Sequence, residues 1–142
     1  LPLVTLFPES RRSEKEWPGY LELAQKLTGS GKAAVAWAAT RSAKEKYPEG
    51  FANLGGRTTL AELPALVDRS TMVVSNDSAP LHLASALECP LVGLFGPTTP
   101  LRFGPYPVDS PNVRLIQAPE NDLAQLPMEA VETEVLSLLD VI

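Results

Sequence analysis

Cysteine, histidine and long apolar runs are all scarce in this chain, and each scarcity excludes a class of protein. Cys89 is the only cysteine among 142 residues, so no internal disulfide can form, and a reducing compartment fits. His82 is the only histidine, and a lone imidazole four residues after Ser78 gives no credible Ser-His-Asp hydrolase. No grouping of His, Cys and Asp has the spacing of metal ligands, so no metal site is expected. No apolar run reaches the ~18–20 residues needed to cross a bilayer. Basic residues are outnumbered: 12 Lys and Arg against 17 Asp and Glu give a net charge of −5. That balance argues against nucleic acid or an anionic membrane surface as a partner, and leaves room for a small local anion site. Gly-x-Gly-x-x-Gly and Gly-x-x-x-x-Gly-Lys-Ser/Thr are both absent, which weakens dehydrogenase and P-loop readings. Internal repeats and low-complexity tracts are absent too. The chain opens in an apolar segment at Leu1 with no basic n-region, so it does not read as a signal peptide; the expectation is a piece cut from something longer.

What is present is an ordinary globular balance, 44% hydrophobic and 20% charged, in one domain's worth of length. Short apolar runs predict strands at 2–7, 32–37, 51–54, 71–75, 90–95 and 112–117. Helix-like stretches lie between them. Tyr20, Leu23, Ala24 and Leu27 give an apolar face at i, i+3, i+4 and i+7 to a helix over 18–28, which Gly29 and Gly31 stop. A basic stretch predicts a short helix at 41–46. Thr59 and Glu62 form a capping box for a helix ending near Arg69, in which Pro64 predicts a kink or a later start. Ser78 is placed to cap a helix through Leu87, with Pro80 tolerated in its first turn. Met128, Val131, Val135, Leu138 and Ile142 mark the buried face of a closing helix over 127–141. Strands alternating with helices imply an α/β fold: a Rossmann-like, doubly wound parallel sheet of about six strands in the order 3-2-1-4-5-6, covered on both faces.

In such a sheet, ligands bind beyond the carboxyl ends of the strands, at the point where strand order reverses. Two loops meet there. The first, after Phe7, packs Ser10, Arg11, Arg12, Ser13 and Lys15 into six residues of an acidic protein. Cations and hydroxyls in that density suit phosphate oxygens, and a following helix N-terminus adds partial positive charge. The plainer reading is a solvated turn with an Arg12–Glu16 pair. The second loop, Asn76-Asp77-Ser78-Ala79-Pro80-Leu81-His82, joins a strand to a helix, where the N–H groups of Ala79, Leu81 and His82 would face an anion. The plainer reading is that Asp77 or Ser78 simply caps the helix and His82 is a boundary residue. A third loop, Phe95-Gly96-Pro97-Thr98-Thr99-Pro100 and on to Gly104-Pro105, offers threonine donors and a glycine that lets backbone approach a ligand, or else a rigid crossover.

Taken together these segments resemble one family. Phe7-Pro8 through Lys15-Glu16-Trp17-Pro18, Gly56-Arg57-Thr58-Thr59-Leu60, Asn76 through Ala84 with its Asp-Ser-x-x-x-His core, and Leu94-Phe95-Gly96-Pro97-Thr98 with Gly104-Pro105 fall in the order and spacing of the ADP-heptose:lipopolysaccharide heptosyltransferases, glycosyltransferase family 9. The resemblance implies the C-terminal, donor-binding half of a GT-B enzyme, a single Rossmann-like domain over 1–142, with the N-terminal acceptor half absent. It implies an inverting, metal-independent transfer of heptose from ADP-heptose to a lipopolysaccharide core sugar. The catalytic base would lie in the other half, which leaves this chain inactive alone and without a catalytic residue. The donor would be held by Ser10, Arg12, Lys15, Asp77, Ser78, Ala79, His82, Gly96 and Thr98, with no cofactor. The resemblance implies a cytoplasmic protein that meets the inner membrane through its acceptor. An exposed inter-domain face would invite self-association.

Four departures from the family pattern stand out. Ala79 replaces the usual Gly, which matters if that position needs φ > 0. The first loop is one residue longer before Lys15, Glu9 brings an anion near the phosphates, and Trp37-Ala38-Ala39 replaces a glycine-rich segment. Two alternatives therefore stay open: a GT-B transferase for another nucleotide sugar, and a non-catalytic nucleotide-binding module, which Glu9 and Ala79 favour.

Overall fold

A computed structural model of the chain describes residues 1–10, 12–39, 51–53, 60–98 and 111–142. The apolar runs become strands β1 (Leu3–Phe7), β2 (Ala34–Trp37), β3 (Phe51–Asn53), β4 (Met72–Asn76), β5 (Leu91–Phe95) and β6 (Val113–Gln117). They form one sheet in the order β3-β2-β1-β4-β5-β6, the order expected from the sequence. Every neighbouring pair is parallel. The chain winds outward from β1 to β3, returns to the centre, and winds outward again from β4 to β6. Connections leaving β1 and β4 therefore depart to opposite sides, opening a crevice beyond Phe7 and Asn76. Phe7 pairs with Ser75 across that boundary.

Helices cover both faces because successive strand side chains point oppositely. On one face α1 (Tyr20–Gly29) and the C-terminal helix α4 (Met128–Val141) pack Leu23, Leu27, Val131 and Val135 on Val4, Leu6, Met72, Val74, Val92 and Leu94. On the other, α2 (Leu63–Arg69) and α3 (Ala79–Ala86) pack Val67, Leu81 and Ala84 on Phe7, Val73, Leu91 and Phe95. Each of the valine, leucine, methionine and phenylalanine side chains among these contributes about 1.5–3 kcal/mol when fully buried. Gly93 in β5 lets α3 lie close: a Cβ there would stand 2.8 Å from Leu81 Cδ1.

The helix ends refine four expectations. Gly31, at φ +71°, stops α1, while Gly29 is its last helical residue. The N–H groups of Gly31 and Lys32 return to the carbonyls of Thr28 and Leu27, a Schellman closure that needs left-handed backbone. Pro64 gives the later start rather than a kink: a 3-10 turn at Leu60–Glu62 precedes α2, whose first turn accommodates the proline. Ser78 occupies the N-cap position of α3 in extended conformation, but its side chain makes no capping bond. Ile142 leaves the buried face of α4, at 45% exposure, because the helix ends at Val141. The expected helix at 41–46, Gly55-Gly56, and Thr59 of the capping box lie outside the described residues.

Candidate functional site

The crevice is organised by two consecutive residues at the end of β4. Asn76 is fully buried, and its amide serves three partners. Oδ1 accepts from the Trp17 backbone N–H (3.1 Å) and the Tyr20 hydroxyl (3.0 Å), and Nδ2 donates to the Pro8 carbonyl (3.2 Å). An apolar strand end with a polar side chain requires such partners, because an unpaired buried amide costs several kcal/mol or is excluded. Tyr20 is buried with it, edge-on to the Trp17 ring at 5.1 Å, and burial holds its hydroxyl pKa well above the usual range. Trp17 Nε1 donates to the Leu126 carbonyl (2.9 Å), which ties the first loop to the segment before α4.

Asp77 is the next residue, 8% exposed, and three loops converge on its carboxylate. Thr98 donates to Oδ2 at 2.7 Å from the loop after β5. The Lys15 ammonium donates to the same oxygen at 3.4 Å from the loop after β1. His82 Nε2, on the first turn of α3, stands 3.7 Å from Oδ1 with its side chain 52% exposed. A carboxylate so enclosed needs its cation and its hydroxyl. Among the described residues Lys15 uses one of its three N–H donors on Asp77, and its side chain is 21% exposed, so the ammonium borders the crevice.

The remaining expected site residues divide. The Ser10 N–H donates to Glu16 Oε2 at 3.0 Å, and its hydroxyl accepts from the Arg12 N–H at 3.4 Å. Arg12 is 68% exposed and pairs with Glu14, not with Glu16 as the plainer reading had it. Glu16 is turned inward to the Ser10 backbone instead, because Ser13–Lys15 forms a 3-10 turn rather than an α-helix with i,i+4 neighbours. Glu14 is held below the usual carboxylate range by its own backbone N–H first and by Arg12 after it. Arg11 lies outside the described residues, as do Thr99, Pro100, Gly104 and Pro105. The Ser78 hydroxyl turns back to Ser75 Oγ (3.2 Å) and the Asn76 carbonyl (3.3 Å), and the Leu81 N–H closes on the Ser78 carbonyl at 3.1 Å. Leu81 is therefore not an anion donor, in contrast to the expectation for this helix start. Ala79 is exposed at the start of α3 and adopts no positive φ, so its replacement of Gly strains nothing. Gly96 is buried against Leu123, whose Cγ would lie 2.9 Å from a Cβ there, so packing alone already calls for the glycine. Its carbonyl accepts from Gln117 Nε2 at 2.8 Å, which holds the loop that carries Thr98.

Asn76, Tyr20 and Gln117 are the residues that sequence reasoning missed as site-builders. The signal for Asn76 was a polar residue closing an apolar strand; nothing in the sequence paired it with residues 8, 17 and 20.

A doubly wound parallel sheet with charged and hydroxyl groups gathered at the switch point defines a Rossmann-like α/β domain. The chain belongs to glycosyltransferase family 9 (heptosyltransferase), whose sequence pattern matches residues 1–133. Lipooligosaccharide heptosyltransferase 2 of Haemophilus influenzae is 33% identical over 115 residues, which cover 72% of this chain and 33% of that protein. The structure of E. coli ADP-heptose lps heptosyltransferase II superposes with a TM-score of 0.77 at 30% identity, over 97% of this chain and 46% of that one. E. coli heptosyltransferase WaaC with ADP shares the fold at a TM-score of 0.79 and 24% identity, over 96% of this chain and 44% of that one. The chain thus spans a third of that curated relative and under half of each solved chain. Among the described residues no helix is long and apolar enough to cross a membrane.

Proposed function

We propose that this chain is the C-terminal, donor-binding half of an inverting, metal-independent heptosyltransferase of lipopolysaccharide core biosynthesis, with ADP-heptose as donor. The observation that carries the reading is the convergence of Lys15, Asp77, His82 and Thr98, from three loops, at the one crevice the topology opens. As a glycosidic bond to a nucleotide breaks, negative charge develops on the distal phosphate, and a preorganised cation stabilises it. Lys15 supplies that cation, with two N–H donors not engaged by any of the described residues and so available to phosphate oxygens. Asp77 aims the ammonium and offers its outer oxygen to a sugar hydroxyl. The backbone at the start of α3, at Ala79, adds the partial positive charge of a helix N-terminus, and His82 and Thr98 border the sugar side. Ser10 and Arg12 sit earlier in the first loop, where Arg12 contributes long-range attraction rather than a fixed contact.

In this reading the base that deprotonates the acceptor and the acceptor site itself belong to a second half, so the isolated chain binds donor without turning it over. The work is cytoplasmic, with the lipid-linked acceptor presented at the membrane. The face turned to the second half is the surface for self-association when the chain is alone. Backbone amide shift mapping with ADP, UDP and GDP tests the donor assignment. The expected result is selective ADP binding with shifts at Lys15, Ser78 and His82. Preference for UDP or GDP would replace the donor, and shifts confined to other loops would remove the site.

A further inference from the structure

Among the buried polar groups, one is used by none of the chemistry above and yet touches everything that places it. Asn76 Oδ1 fills both acceptor directions with the Trp17 N–H and the Tyr20 hydroxyl, and Nδ2 reaches the Pro8 carbonyl. Pro8 and Trp17 are the two ends of the first loop, so a single side chain clamps both feet of that loop onto the end of β4. Above this base the loop is tied again by the Ser10 N–H on Glu16 Oε2, and then by a 3-10 turn in which the N–H groups of Lys15 and Glu16 return to the carbonyls of Arg12 and Ser13. Lys15 rides on that ladder two residues before Trp17, and Asp77, its partner, is the residue after Asn76. The loop and the carboxylate that faces it are thus referenced to the same backbone position. An amide fits the role: an ionised carboxylate cannot donate to Pro8, and an apolar side chain strands the buried Trp17 N–H and Tyr20 O–H and the part-buried Pro8 C=O together.

We propose that Asn76 is the positioning residue for Lys15: it sets the height and direction of the ammonium over the switch point without touching the ligand. The inference rests on the donor-binding reading for its effect on nucleotide affinity, while its effect on Lys15 stands independently.

The test reads Lys15 first in the ligand-free chain. The Lys15 1Hε–13Cε signal reports its contact with Asp77, and Asp77→Asn shifts it. Asn76→Leu is expected to move that signal to the range of an exposed lysine and to abolish its response to Asp77→Asn. It is expected to weaken ADP binding about tenfold, the worth of one hydrogen bond to a charged group. Adding Lys15→Ala to Asn76→Leu then costs nothing more, since both remove the same contact. Should Asn76→Leu fail to fold, Asn76→Ala leaves space for a water to meet the three orphaned groups and shifts both readouts in the same direction by less. A Lys15 signal that stays in place and still responds to Asp77→Asn overturns the proposal. So do losses of affinity that simply add in the double variant, the mark of a general structural effect. A displaced Lys15 signal combined with ADP affinity that is indifferent to Lys15→Ala sustains the positioning role and overturns the donor reading instead.

Discussion

Charge alone does not separate Lys15 from Arg12, which sit three residues apart in the same basic loop; burial and partners do. Lys15 is largely covered and directed at Asp77, whereas the Arg12 guanidinium is spread in solvent against Glu14. Exposed pairs of that kind are worth little. Arg12→Ala is therefore expected to change ADP affinity by no more than about threefold at physiological salt, where long-range attraction is screened, in a calorimetric titration. Cys89 makes a separate prediction. Burial first, and Asp68 after it, push its thiol up to about 11 from an ordinary 9.0. The folded protein therefore keeps a proton that the unfolded chain loses, so stability is complete below about pH 9 and declines as pH rises toward about 11. Tyr20, raised by burial, adds to the same decline at higher pH. Denaturant melts of Cys89→Ala should fall less steeply across that window, and alkylation of the native thiol at pH 8 should be slow. Lys15, Asp77, His82 and Thr98 were legible as candidates because charged, hydroxyl and imidazole groups fell after predicted strands. Asn76 was not, because its importance lies in partners from residues 8, 17 and 20, and a pairing across half the chain leaves no local pattern.

Two helices close by the same device with different residues. At the end of α1 the left-handed position is Gly31; at the end of α3 it is Glu88, at φ 58°, with the N–H groups of Glu88 and Cys89 on the carbonyls of Ser85 and Ala84. A side chain in left-handed backbone costs about 1 kcal/mol relative to glycine. Glu88→Gly should accordingly stabilise the chain, and Gly31→Ala destabilise it, each by about 1 kcal/mol in chemical denaturation. Gly96→Ala meets Leu123 backbone as well as side chain, 3.3 Å from its N, so relief requires the turn to move. That substitution should cost about 1–3 kcal/mol, the range for overpacking, and should loosen the Thr98–Asp77 bond. Among the described residues the order of strands and helices was readable from apolar periodicity, and of the two outcomes Pro64 allowed, a kink or a later start, the later start is the one seen. The failures were in the caps. Ser78 has the residue type of an N-cap, but its hydroxyl is drawn to Ser75 and Asn76, a competition between side-chain partners that residue type cannot decide.

The alternation of strands and helices was enough to read the strand order 3-2-1-4-5-6, since short right-handed crossovers leave few other arrangements. That order, in turn, identified the loops after β1 and β4 as the ones to examine. Membership of glycosyltransferase family 9 then follows from the match over residues 1–133. The chain covers only part of its relatives, so the division of labour is itself testable. Supplied with ADP-heptose and a core acceptor, the isolated chain should bind donor and transfer nothing; transfer by this chain alone would contradict the assignment of the base to a second half. In the proposed reading the crevice between β1 and β4 binds a nucleoside diphosphate through Lys15. Calorimetric titration of ADP into the wild-type chain and into Lys15→Ala tests it most directly. Saturable one-to-one binding is expected, weakened about tenfold by Lys15→Ala, the loss of a hydrogen bond to a charged phosphate. Equal affinity in the two proteins would contradict it.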